Sequence, residues 1–205
     1  MRSLALSSLL VLSLCACRGE STPVREPAAA REPEGVAGPL RVDTLAFGRF
    51  GPVVLYRQSE HPSRVVLFIS GDGGWNRGVV DMARGLAGLD ALVVGVDIRR
   101  YLASLATARG SCGYPAADFE ALSQWVQQRL GYPGYVPPVL VGYSSGATLV
   151  YATLVQAPPG TFRAGMSLGF CPDLRLGAPL CRGEGLASGN GPRRSPAAGS
   201  IMTRQ

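Results

Sequence analysis

The chain has 205 residues, 46% of them hydrophobic and 17% charged, which allows one packed domain and excludes disorder throughout. Glycine (27) and proline (16) are frequent, but no G-x-y period runs through them, which excludes collagen. The 20 basic residues are all arginine, against 14 acids; residues 40–181 hold twelve of them without a cluster, so nucleic acid is not an expected partner.

Met1-Arg2-Ser3 gives a short positive start, and Leu4 to Leu14 follows as an apolar stretch of 11 residues. A membrane-spanning helix needs ~20 such residues, so this length predicts the core of a signal peptide. Leu14-Cys15-Ala16-Cys17 is similar to a bacterial lipobox, with a small residue before the cysteine that receives the lipid. The expectation is a signal peptide over 1–16, a lipid on Cys17, and a Pro-, Arg- and Glu-rich tether over 17–39. The protein is then exported to the periplasm and anchored to a membrane. Cleavage by the ordinary signal peptidase is the alternative.

Export agrees with the cysteines. Among Cys112, Cys171 and Cys181 an oxidising compartment allows one bridge, expected between Cys171 and Cys181, which close a short loop. His61 is the single histidine, so the usual zinc constellations are excluded, and neither a metal nor a cofactor is expected.

Residues 40–181 read as alternating strands and helices. Leu40 to Phe47 and Val53 to Arg57 predict a hairpin around Gly48-Arg49-Phe50-Gly51. Val65 to Ile69 and Ala91 to Ile98 are continuous apolar runs, as in strands buried on both faces, with a helix over Val79 to Leu89 between them. Pro115 suits a first helical turn, and Phe119, Leu122, Val126 and Leu130 continue at helical spacing. Val139 to Val141 is the next buried strand, Gly146 to Gln156 a helix, and Phe162 to Phe170 a fourth buried strand. The order predicts an α/β fold with a mostly parallel sheet covered on both faces. Residues 182–205 show no strand pattern and are expected to form a disordered tail.

The chemistry is expected at the turn after the Val139 strand. Gly142-Tyr143-Ser144-Ser145-Gly146 is G-x-S-x-G between a strand and a helix, the context of a nucleophile elbow. Ser144 is the candidate nucleophile. Gly142 and Gly146 lack side chains where strand and helix pass closely. The N–H of Ser145, with that of Asp72 or Gly73 in Gly71-Asp72-Gly73-Gly74-Trp75, would receive an oxyanion. The bland alternative is two Gly-rich turns with no nucleophile.

These stretches resemble the AcvB/VirJ family of bacterial virulence proteins. The resemblance rests on Phe68 to Trp75, Ser111 to Pro115 with Asp118-Phe119, Gly142 to Gly146, and Phe170-Cys171-Pro172-Asp173-Leu174, and covers residues 40–181. It implies an exported serine hydrolase of the α/β-hydrolase superfamily, acting on aminoacyl phosphatidylglycerol esters such as lysyl-phosphatidylglycerol and linked to type IV secretion and virulence. A membrane lipid and a secretion-system component are the partners it implies.

One part of the pattern is missing. The order on this fold is serine, acid, histidine, yet no histidine follows Ser144, and the acids after it are Asp173 and Glu184. The resemblance implies two further strands after Phe170 that this sequence does not match. Asp173 is the candidate acid. His61 precedes the Val65 strand, so it belongs to the sheet edge opposite Ser144. The expectation is a hydrolase fold whose present chain turns over no ester; the alternative is a non-catalytic lipoprotein that binds a lipid headgroup or a secretion component.

Overall fold

Residues 38–107 and 110–185 are described by the computed structural model. The chain enters as an antiparallel hairpin, β1 (Arg41–Phe47) and β2 (Gly51–Arg57), joined by a one-turn 3-10 helix at Gly48–Phe50. There follow β3 (Arg64–Ile69), α1 (Arg77–Ala87), β4 (Ala91–Val96), α2 (Ile98–Ala106), α3 (Pro115–Arg129), β5 (Val139–Tyr143), α4 (Ser145–Gln156) and β6 (Ala164–Leu168). The strands form one sheet in the order β1-β2-β4-β3-β5-β6. β2 runs antiparallel to β4, and the four strands β4, β3, β5 and β6 are parallel. The fold is mixed α/β with a mostly parallel six-stranded sheet.

The apolar runs form strands because both their faces are covered: Val65 to Ile69 and Ala91 to Val96 are buried throughout. Alternate residues serve different layers. Val65, Leu67, Ile69, Leu92, Val94 and Val96 face the larger core. Val66, Phe68, Ala91 and Val93 meet Val79, Ala83 and Ala87 of α1 on the other face. After β3 the chain crosses through α1 to β4, whereas after β5 it crosses through α4 to β6 in the opposite direction. Crossovers of one hand in opposite directions lie on opposite faces. The direction changes between β3 and β5, and such a switch point opens a crevice at the C-terminal ends of those strands.

The last strand departs from expectation. Phe162 to Phe170 reads as buried, but β6 covers only Ala164–Leu168, is exposed along nearly its whole length, and forms a sheet edge. The α1 side of β5 and β6 is open, leaving Tyr143 and Met166 exposed. Helix α2, absent from the sequence reading, begins where Asp97 accepts the Arg99 N–H at 2.9 Å as its N-cap.

The disulfide also differs. Cys112 is bonded to Cys181, with Cα atoms 4.9 Å apart, and Cys171 is a free, exposed thiol. The reason is a short backbone ladder. Gly113 N–H donates to Pro179 O and Cys181 N–H to Gly113 O, each at 2.8 Å, which lays residues 179–181 alongside 112–114. Leu174, Leu176 and Leu180 are buried on the way. Cys171 is held elsewhere, its carbonyl accepting from the Thr148 hydroxyl.

Two buried polar groups stitch the layers. The Gln156 side chain accepts the Ala116 N–H at 3.1 Å and donates to Cys181 O at 2.9 Å and Gly113 O at 3.3 Å. Tyr101 donates to Asp118 Oδ2 at 2.8 Å, and Arg49 Nη1 lies 3.3 Å from the same oxygen. Burial raises the pKa of Asp118 above the ordinary carboxylate value, against the opposing pull of Tyr101 and Arg49; burial and the Asp118 charge also push the Tyr101 phenol up. The expected signal peptide, Cys17 and almost all of the tether fall outside the described residues, as does the tail beyond residue 185.

Candidate active site

Ser144 stands between β5 and α4 with φ 54° and ψ −122°, one of two described non-glycine residues with positive φ. Such a conformation is costly for a serine, by about 1–3 kcal/mol, and persists only where the surroundings impose it. Here they do. Ser144 N–H donates to Leu168 O at 2.7 Å, and Ser144 O accepts from Ala147 N–H at 2.8 Å. A Cβ on Gly142 would lie 2.6 Å from Ala147 N, and one on Gly146 would overlap the carbonyls of Ile69 and Ser70. Strand and helix therefore meet at backbone distance, and the chain between them turns sharply through Ser144.

The Gly71–Trp75 loop comes directly against this turn. A Cβ on Gly71 would lie 2.9 Å from Ser144 Cβ and 3.1 Å from Tyr143 O. Gly74 N–H closes a turn on Gly71 O at 2.8 Å, and Trp75 N–H reaches Asp97 Oδ2 at 3.4 Å. Among the described residues the N–H groups of Asp72, Gly73 and Ser145 donate to no partner, so all three remain able to receive an anion. The structure thus brings together Ser144, Ser145, Gly142, Gly146 and the Asp72–Gly73 loop. The Ser145 hydroxyl is buried and has no hydrogen-bond partner among the described residues.

Two other residues stand apart. Asp173 is exposed on the segment after β6 and makes no hydrogen bond or ion pair among the described residues. His61 lies before β3, its Nε2 3.2 Å from Leu130 O and its ring edge-on to Tyr132. Six residues of β3 separate that end of the sheet from the loop at Gly71, a span of roughly 20 Å.

Sequence reading overlooks the residues that shape the loop from below. Ser70 is fully buried and accepts the Ile98 N–H at 3.1 Å, and Asp97 holds both Trp75 and Arg99 by their N–H groups. Their signal was position: each closes a buried parallel strand at its C-terminal end, where ligands of open α/β sheets bind.

The family model for the bacterial virulence protein VirJ matches residues 63–166. No curated protein matches the chain. Among solved structures, a putative dienelactone hydrolase from Klebsiella pneumoniae is 15% identical, with a TM-score of 0.48 over 63% of this chain and 60% of that one. Brefeldin A esterase, described as a bacterial homologue of human hormone-sensitive lipase, is 23% identical, with a TM-score of 0.39 over 63% of this chain and 38% of that one. The Francisella virulence factor BioJ is 12% identical, with a TM-score of 0.44 over 62% of this chain and 42% of that one. The chain therefore spans 60% or less of the length of these proteins. The family match takes in just over half of the 205 residues, including the Gly71–Trp75 loop and the Ser144 turn, and this chain belongs to the VirJ family of bacterial virulence proteins.

Proposed function

We propose that this domain is an exported, membrane-tethered serine hydrolase of the carboxylic-ester type, with Ser144 as nucleophile. The substrate class is the aminoacyl ester of phosphatidylglycerol, lysyl-phosphatidylglycerol included, and the setting is virulence linked to type IV secretion. The observation that carries the reading is the strained Ser144 backbone at φ 54° with Gly71 packed on its side chain. Attack of Ser144 Oγ on an ester carbonyl moves negative charge onto the carbonyl oxygen. The N–H groups of Ser145 and of Asp72 or Gly73 would receive it, and the start of α4 adds a favourable dipole.

The serine proton needs a base, and a serine without one is a weak nucleophile. His61 is at the far edge of the sheet, and Asp173 alone cannot do the work of an imidazole. The 205-residue polypeptide is therefore read as holding ester without turning it over, with only the residual catalysis of binding and oxyanion donors, ~10³–10⁴-fold over water. A second reading, a non-catalytic lipoprotein for a lipid headgroup or secretion component, draws on the same absence of histidine near Ser144 among the described residues.

The test is hydrolysis of a short-chain ester and of lysyl-phosphatidylglycerol by the purified chain and by Ser144→Ala. Negligible turnover with little further loss in the variant is expected. Rapid turnover that vanishes with Ser144→Ala supports the nucleophile and overturns the inert state. Rapid turnover untouched by Ser144→Ala overturns the site.

A further inference from the structure

The two edges of the sheet are built differently. β1 carries Arg41 and Asp43, which form ion pairs with Glu60 and Arg57. Charges on an edge strand discourage a second chain from pairing with it. β6 has no such guard. Ala164 to Phe170 reads Ala-Gly-Met-Ser-Leu-Gly-Phe, without a charge or a proline. One side of β6 pairs with β5, and no strand of the described residues pairs with the other. Backbone N–H and C=O groups facing outward from such an edge are a template for one further strand.

Apolar side chains gather at the same edge. Among the described residues seven large apolar side chains are exposed. Four of them are Tyr143 at the end of β5, Tyr151 on α4, Met166 on β6 and Phe170 just past it. Tyr143 and Met166 stand on the open face of the sheet. Tyr151 and Phe170 meet edge-on, their ring centroids 5.6 Å apart, beside α4. An apolar patch alone names no occupant, but a bare strand edge between two of them fits a strand that brings matching surface on both faces.

Charge selects the occupant and its direction. Arg163 precedes β6 and Asp173 follows it; both are exposed, and neither has an ion pair among the described residues. A second β6 laid parallel would set Arg163 beside its own mate. Laid antiparallel, it brings the Arg163 end of one copy to the Asp173 end of the other. Pairing of β6 with β1 of another copy would meet the charged edge and would not close.

We propose that two copies of this chain join through β6, antiparallel about a two-fold axis at Met166. In this register Ala164 faces Leu168 of the partner subunit, and Met166 faces its own mate. The axis is perpendicular to the sheet, so the open face of one copy continues into that of the other. The two Met166 side chains then cover each other as a directly opposed pair. The seam also bears on the elbow, because Leu168 O at the end of β6 accepts the Ser144 N–H at 2.7 Å.

The test is the mass of the purified 205-residue chain and of Met166→Arg by sedimentation equilibrium. Met166→Cys and Val42→Cys are each made with Cys15→Ala, Cys17→Ala and Cys171→Ser, and every variant is checked for native circular dichroism. The parent should sediment at twice 21.5 kDa. Met166→Arg sets like charges against each other at the axis and should weaken association roughly tenfold or more. Met166→Cys should form a bridge between copies under mild oxidation, since directly opposed residues have Cα atoms about 4.5–5.5 Å apart. Val42→Cys, on β1 and as exposed as Met166, should not. A monomeric parent overturns the proposal, and one whose β6 amides still resist hydrogen exchange shows the edge taken by another segment. A dimer unchanged in folded Met166→Arg, or Val42→Cys bridging as readily as Met166→Cys, overturns it as well. None of these readouts involves ester turnover, so the Ser144 reading stands or falls separately.

Discussion

Gly71 lies against Ser144 so closely that a methyl group on it would stand 2.9 Å from the serine Cβ. A second contact is backbone, Tyr143 O at 3.1 Å, so the neighbours cannot all swing aside. Gly71→Val should therefore strain the elbow and destabilise the domain by about 1–3 kcal/mol. Urea unfolding of the variant against the parent checks this, and an unchanged midpoint would show that the two turns are not packed as described.

Asp118 gives a pH signature. Burial raises its pKa from the ordinary 3.8, with Tyr101 and Arg49 opposing. A carboxyl raised in the folded state holds its proton more tightly folded than unfolded, so its contribution is fully present below the unfolded value. That contribution is lost as pH rises through the folded value. The stability difference between parent and Asp118→Asn should then fall as pH rises from below the ordinary 3.8 through the raised folded value. A difference that grows instead would mean that attraction to Arg49 outweighs burial.

The bridge between Cys112 and Cys181 spans 69 residues of sequence. Chain-entropy arguments put its effect at about 4 kcal/mol. Cys112→Ala with Cys181→Ala should lose stability on that scale, and Cys171 should alkylate without reductant. A peptide map in which Cys171 is the bridged residue would refute the pairing.

Gln156→Leu keeps the size of the buried side chain and removes its amide. The Ala116 N–H and the carbonyls of Gly113 and Cys181 lose a partner. Leaving buried groups unpaired costs about 1–3 kcal/mol each, so a loss above 2 kcal/mol is expected in urea unfolding.

For the proposed anchor, metabolic palmitate labelling of the expressed chain is compared with Cys17→Ala. Labelling that depends on Cys17 is expected. Equal labelling of both would remove the lipid anchor.

The buried strands were readable because burial on both faces leaves an uninterrupted apolar run, as at Val65 to Ile69. The elbow was readable because a sharp turn between strand and helix forces glycine at Gly142 and Gly146. What escaped was set by other pressures. Ile98, Tyr101, Leu102 and Leu105 do carry helical spacing, but the preceding apolar run absorbs Ile98 and hides the start of α2. The disulfide depends on a backbone ladder between distant segments, and nearness in sequence pointed to Cys171 instead. Exposure of β6 is a property of its position in the sheet. Its residues, Ala164 to Leu168, are mostly apolar either way.

The bridge has one further consequence. Cys112 and Cys181 close a covalent ring that contains β5, Ser144, α4 and β6. A single proteolytic cut anywhere inside that ring releases no fragment. The nicked molecule keeps its mass on a non-reducing gel and falls into two pieces only when thiol is added, so a digest run both ways maps the ring directly.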